Sequence, residues 1–238
     1  MKKSTNKHTL VIEKYSRSNE LQVKQLIDLY NEESYLYHLL RNIKTKCAYV
    51  AYYKKDVVGI FFTWGSNFHP FCTYFRIYTN PFYSELHIEE FLLNEIPKLE
   101  NFKLPLQTSI WETSAHLKNY YEQNNFMEIR RTYMPILDVR KIISIDIVPN
   151  SNYHLQTLSN ILSDNNLLEK LAYLVKEIYE QTHLANPVAS FPLQTWKEMI
   201  LADDVLLDGS YLIIDEEYQI VAYSFLHTSE KDNTVELG

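Results

Sequence analysis

Residues 47–64 read CAYVAYYKKDVVGIFFTW. The β-rich run Cys47–Tyr53 and the returning run Val57–Trp64 flank a polar turn, Lys54-Lys55-Asp56, and this pattern predicts a β-hairpin. The same pattern recurs late in the chain. Tyr211-Leu212-Ile213-Ile214 is followed by a turn at Asp215-Glu216-Glu217 and a second apolar run, Ile220 to His227. A hairpin met twice points to internal duplication, which fixes the fold before any single motif does.

Upstream of the first hairpin, Thr9-Leu10-Val11-Ile12 reads as a strand. Val23, Leu26, Ile27 and Tyr30 fall at helical spacing, predicting a helix over 19–33, and a short helix is expected from Tyr35 to Ile43. Downstream, Phe71 to Thr79 reads as a strand closed by Asn80-Pro81. Ser84 is placed to cap a helix burying Ile88, Phe91, Leu92, Ile96 and Leu99, with Pro97 placed to break it near its end. Leu104 to Trp111 reads as a strand, Thr113 or Ser114 as the cap of a short helix running through Tyr121 to Asn124, and Phe126 to Val139 as a last strand. The order is β-α-α-β-β-β-α-β-α-β.

A second pass starts near Tyr153-His154-Leu155. Leu167, Leu168, Leu171, Leu174, Val175 and Ile178 make a strong helical stripe, a loop holds Pro187 and Pro192, and Leu193 to Leu201 reads as a short helix. The repeated hairpin and Val235-Glu236-Leu237 follow. The order is again β-α-α-β-β-β. The expected class is α+β with a mixed sheet. The expected domains are residues 1–143 as one complete copy and 144–238 as the N-terminal half of another.

The chain has 238 residues and a net charge of −7, so no surplus of Lys and Arg marks a general nucleic-acid binder. No apolar run approaches the ~20 residues needed to span a bilayer, and the basic Met1–His8 start lacks an apolar signal core, so no membrane partner and a cytoplasmic location are expected. Cys47 and Cys72 read as core filling, and two thiols do not make a disulfide scaffold. The eight histidines show no ligand spacing, so no metal site is expected. Only four glycines occur, where average usage would give roughly 17. No GxGxxG or Walker-type phosphate loop is present.

The element order resembles that of the GNAT superfamily of N-acetyltransferases, and the whole chain resembles its bacterial two-domain members. Tyr78-Thr79-Asn80-Pro81 is similar to the family's hydrophobic-x-x-Pro segment at the end of a strand. Tyr121-Glu122-Gln123-Asn124-Asn125-Phe126 is similar to its Tyr-Glu-Lys-x-Gly-Phe signature. Phe191-Pro192-Leu193-Gln194-Thr195-Trp196 resembles its acceptor-side segment.

The resemblance implies transfer of an acetyl group from acetyl-CoA, as co-substrate and with no metal, to a small-molecule amine. A net negative charge suits a cationic acceptor. It implies that backbone around Ile77, Tyr78 and Thr79 faces the pantetheine arm, exposing N–H groups where two parallel strands splay. It places the diphosphate on Ser84-Glu85-Leu86-His87-Ile88-Glu89, at a helix N-terminus, and makes Tyr121 the acid that protonates the departing thiolate. The Tyr120-Tyr121 pair also reads as packing ahead of Phe126.

The family's turn is Gly-rich, whereas here it holds no glycine and carries Glu85, Glu89 and Glu90, so side chains crowd a diphosphate and carboxylates repel it. This departure motivates the alternative expectation: a catalytically degenerate module of the same fold that binds a small ligand or a protein. The second copy, ending at Gly238 without the diphosphate turn, is not expected to be self-sufficient. Its open strand Val235–Leu237 suggests pairing into a homodimer.

Overall fold

The computed structural model describes residues 9–41, 45–102, 104–141, 152–229 and 233–238. Met1–His8, Ile43 and the expected boundary at 143/144 lie outside the described residues. The chain divides into two units, Met1–Arg130 with Asn186–Ala189, and Arg131–Ala185 with Ser190–Gly238.

Unit 1 is built on the expected hairpin. β1 (Leu10–Lys14), β2 (Thr45–Tyr53), β3 (Asp56–Trp64), β4 (Thr73–Thr79) and β5 (Leu106–Gln107) form one mixed sheet in that order. The first four strands pair antiparallel, and β4 runs parallel to β5. β3 is buried from Val57 to Thr63 because both faces of the sheet are covered. On one face Ile60, Phe62 and Tyr78 pack with Val23, Leu26 and Ile27 of α1 (Glu20–Asp28). On the other, Val58, Phe61 and Phe75 pack with Ile88, Leu92 and Ile96 of α2 (Ile88–Leu99). The β2–β3 register shifts by one between Ala51↔Gly59 and Tyr52↔Val57. Val58 is therefore a bulge residue, and the inward alternation resets there.

α2 sits close enough to β3 that a Cβ added at Gly59 would meet Ile88 Cγ2 at 2.6 Å. This is a position where only glycine lets helix and strand approach. Pro97 does not break α2, which runs on to Leu99, and Leu99 is exposed rather than part of the buried stripe. Ser84 does not cap it either. Pro81–Leu86 forms a separate 3-10 turn, and α2 starts after His87, which lies in the left-handed region with φ 47°. The helix expected over 19–33 ends at Asp28, and Asn31–Arg41 continues as 3-10 turns.

Two expected strands shrink. Of Leu104–Trp111 only Leu106 and Gln107 pair, because Pro105 has no N–H to give and Ser109 is drawn out of the ladder by a side chain described below. Phe126–Val139 forms no strand. A two-residue β5 gives it no ladder to join, and Pro135 lacks a donor. The helix between them forms as α3 (Ala115–Gln123). Up to α3 the unit keeps the expected element order, with 3-10 turns in the place of the second helix.

In unit 2, β6 (Tyr153–Thr157), β7 (Tyr211–Asp215) and β8 (Ile220–Ser224) pair antiparallel in that order, as β1, β2 and β3 do. β9 (Leu226–Thr228) continues β8 after a break at Phe225, and β10 (Val235–Leu237) pairs with β9. Between β6 and β7 lie α4 (Asn165–Thr182) and α5 (Leu193–Ile200). Asp164 caps α4, its Oδ1 accepting the N–H groups of Asn166 and Leu167, each at 3.0 Å. Leu167, Leu168, Leu171 and Ala172 are its buried face. The far end of the expected stripe, Ile178, is exposed. The fully buried Trp196 of α5 packs on Tyr179 of α4, ring centroids 5.6 Å apart.

Candidate active site

The site is the gap that opens where β4 and β5 stop pairing. Their ladder covers only Thr73↔Leu106 and Tyr74↔Gln107. Main-chain groups alternate sides along a strand. Thr73 donates its N–H to the Pro105 carbonyl at 2.8 Å, and Asn80 donates to the Val58 carbonyl of β3 at 2.8 Å. The odd-numbered residues of β4 therefore present their backbone polar groups to the β5 side, and past Gln107 no strand among the described residues meets them. The amides of Ile77 and Thr79 point into this opening.

The opening is a cleft of about 250 Å³, lined by Tyr30, Arg76 and Ile77 from one wall and by Ser109, Trp111 and Tyr121 from the other. Arg76, the single charge in the strand Thr73-Tyr74-Phe75-Arg76-Ile77-Tyr78-Thr79, bridges the gap. Its guanidinium donates to the Ser109 carbonyl and, at 3.1 Å, to Ser109 Oγ. A two-pronged grip of this kind holds a separation rather than a point. Tyr30 donates its hydroxyl to the Thr79 carbonyl at 2.7 Å, and its ring lies 4.9 Å from that of Tyr78.

Tyr121 is both the packing residue and the candidate acid. It is 7% exposed, its ring meets Phe75 edge-on at 5.9 Å and Phe126 at 5.1 Å, and it forms part of the cleft wall. Its position is set by the end of α3. Asn125 takes the left-handed conformation, φ 63°. Phe126 N–H then bonds to the Tyr121 carbonyl at 3.0 Å, and Asn125 N–H to the Glu122 carbonyl at 3.2 Å. This is a Schellman closure in which asparagine stands where glycine is the usual choice. Burial pushes the Tyr121 hydroxyl well above the usual tyrosine range, and Arg76 works in the opposite direction. The group stays protonated at neutral pH, as a proton donor requires.

The remaining expected residues divide between the cleft and the core or surface around it. Tyr78 lines the cleft, but its side chain is 2% exposed in the core facing α1, and its register partner is Ile60 of β3. Thr79 is buried, and its hydroxyl donates to the Glu89 carboxylate. Ser84 and His87 are exposed, Leu86 is half-buried against the core, and Ile88 is a core residue. None of these four lines the cleft. Arg76, Tyr30 and Ser109 were not singled out from the sequence, although a lone arginine inside an aromatic strand was a readable signal.

The thioester end of coenzyme A fits this cleft: main-chain amides on one wall and a protonated phenol on the other. The diphosphate end does not fit the turn that follows. Pro81–Leu86 holds no glycine, and Pro81 has no N–H. Glu89 and Glu90 occupy the first turn of α2. Among the described residues no group of three or more His, Cys, Asp or Glu is placed to hold a metal, and no helix is long and apolar enough to cross a membrane.

The chain is similar to several solved structures. A GNAT-family acetyltransferase from Streptococcus pneumoniae TIGR4 is 21% identical, over 55% of this chain and 99% of that one, with a TM-score of 0.41. An acetyltransferase of the GNAT family from Staphylococcus aureus Mu50 is 15% identical, over 53% of this chain and 90% of that one, with a TM-score of 0.43. The aminoglycoside 6′-N-acetyltransferase of Acinetobacter baumannii is 13% identical, over 55% and 99%, with a TM-score of 0.41. No family model matches the sequence, and no curated protein matches it.

Proposed function

We propose that unit 1 transfers an acyl group, acetyl in the first instance, from a thioester to the nitrogen of a small-molecule amine. The observation that carries this reading is the opening of β4 from β5 with Tyr121 on its wall. An acyl thioester lying along β4 places its carbonyl oxygen against the amide of Ile77, which stabilises the negative charge that builds on that oxygen, and leaves the amide of Thr79 to the pantetheine arm. The amine nitrogen attacks the carbonyl carbon, a C–N bond forms and the C–S bond breaks. The Tyr121 hydroxyl gives its proton to the departing sulfur, and the proton shed by the amine reprotonates the phenol through solvent. Arg76 keeps the two walls apart and, beside Tyr121, eases the transient negative charge on the phenol oxygen.

The test is release of free thiol from acetyl thioesters across a panel of primary amines, with the Tyr121→Phe protein as control. Amine-dependent release that falls in the variant supports the reading. Thioester binding with no release from any amine favours a second one, a ligand-binding module that keeps the cleft without turnover. The carboxylates in the diphosphate turn are the observation behind that alternative.

A further inference from the structure

We infer that the donor is recognised through its acyl and pantetheine end alone, so that the phosphorylated adenosine diphosphate of coenzyme A adds nothing to binding here. This rests on the acyl-transfer reading above and names the class of thioester that the same cleft takes. A pantetheine arm leaving the cleft along β4 passes Thr79 and reaches the turn 80–87 and the start of α2. A diphosphate held there needs converging N–H groups, room for its oxygens and compensating positive charge.

Room and positive charge are each opposed by a named group, and the N–H groups of the turn are already used within it. Phe82 N–H is taken by Asn80 Oδ1 at 3.0 Å. The Thr79 hydroxyl fixes the Glu89 carboxylate between the end of β4 and the start of α2. Glu90 stands one residue on, its Oε1 3.5 Å from His87 Nδ1, and Glu85 is exposed on the same turn. Between Asn80 and Pro97 the sequence holds no lysine or arginine. His87, the one group there able to carry positive charge, has a side chain 71% exposed and faces Glu90. Three carboxylates beside the path of a dianion oppose it.

The experiment is titration of the full chain with S-acetyl-pantetheine, S-acetyl-phosphopantetheine and acetyl-CoA, with and without the paired change Glu89→Gln and Glu90→Gln. S-acetyl-pantetheine is expected to bind as tightly as acetyl-CoA or better. Neutralising the two carboxylates is expected to strengthen acetyl-CoA about tenfold and leave S-acetyl-pantetheine unchanged. Acetyl-CoA binding ten times or more tighter than S-acetyl-pantetheine in the unaltered protein overturns the inference and leaves acyl transfer standing. Binding of none of the three removes acyl transfer itself. Should the paired variant not fold, the comparison of the three thioesters on the unaltered chain decides alone.

Discussion

Phe126 and Tyr121 are joined twice: the N–H of Phe126 bonds to the carbonyl of Tyr121 at 3.0 Å, and their rings lie 5.1 Å apart. The closure of α3 and the placement of the candidate acid are thus one structure. Asn125, between them in the left-handed region, makes both contacts reachable. Asn125→Val should cost about 1–2 kcal/mol, because a β-branched residue resists that conformation. Asn125→Gly should be near neutral. Urea unfolding of the three proteins measures this, and thiol release should fall with the valine protein even at temperatures where it is fully folded.

Tyr121→Phe should leave the fold and thioester affinity in place and lower kcat by about 10²-fold, the lower end of what a positioned acid contributes. The ring contacts survive the change, and the hydroxyl makes no hydrogen bond among the described residues. A fall in affinity equal to the fall in rate would show the hydroxyl acting in binding instead.

Arg76→Lys removes the two-pronged hold on Ser109 while keeping a charge in the cleft. A point cation cannot reproduce the fork, so thioester affinity should drop about tenfold with a stability loss of about 1 kcal/mol. Unchanged affinity would mean that the width of the opening is set by the packing of Trp111 and Tyr30 rather than by Arg76.

Gly59→Ala should destabilise unit 1 by about 1–3 kcal/mol through overpacking, since the new methyl would press on Ile88 and Leu92. Thermal unfolding followed by circular dichroism checks this. The exposed positions of the same hairpin, such as Lys55, should tolerate alanine within about 0.5 kcal/mol.

The alkaline limb of stability should be set in part by buried phenols. Tyr49, bonded to Glu100 at 2.7 Å and partly desolvated, is pushed up to about 12, and burial pushes Tyr121 up as well. A group that holds its proton more tightly folded than unfolded stabilises fully below the unfolded pKa, about 10 for tyrosine, and loses that contribution as pH rises through the folded value. Tyrosinate absorbance should therefore show a late phase above about pH 10, carried by Tyr49 and Tyr121, that coincides with loss of the far-ultraviolet signal. Titration of all tyrosines near pH 10 in a folded protein would contradict this.

The hairpin and its repetition were legible because a run such as Val57–Trp64 has little choice: β-branched and aromatic residues between polar turns pair wherever a partner exists. The Tyr121–Phe126 signature was legible for the same local reason, since the closure spans only six residues. What the sequence hid depends on contacts between distant segments. Leu104–Trp111 has strand composition throughout, yet it leaves the sheet after Gln107 because Arg76 of another strand holds Ser109. Phe126–Val139 alternates like a strand, yet forms none for lack of an edge to pair with. Ser84 had the chemistry of a cap, but the chain spends that position in a 3-10 turn and begins α2 after His87.

The polar groups that the opening of β4 offers at Ile77 and Thr79 are main-chain amides, present whatever side chain each residue carries. Such a site is blind to most of its own mutations. At Ile77 a change to valine, leucine or methionine leaves the donor where it was, and of the twenty residues only proline deletes it. Drift can therefore change the letter at Ile77 while the chemistry stays put, and the residues that betray a change of use are the side chains with work of their own, Arg76 and Tyr121 at the opening and the carboxylates of the turn beyond it.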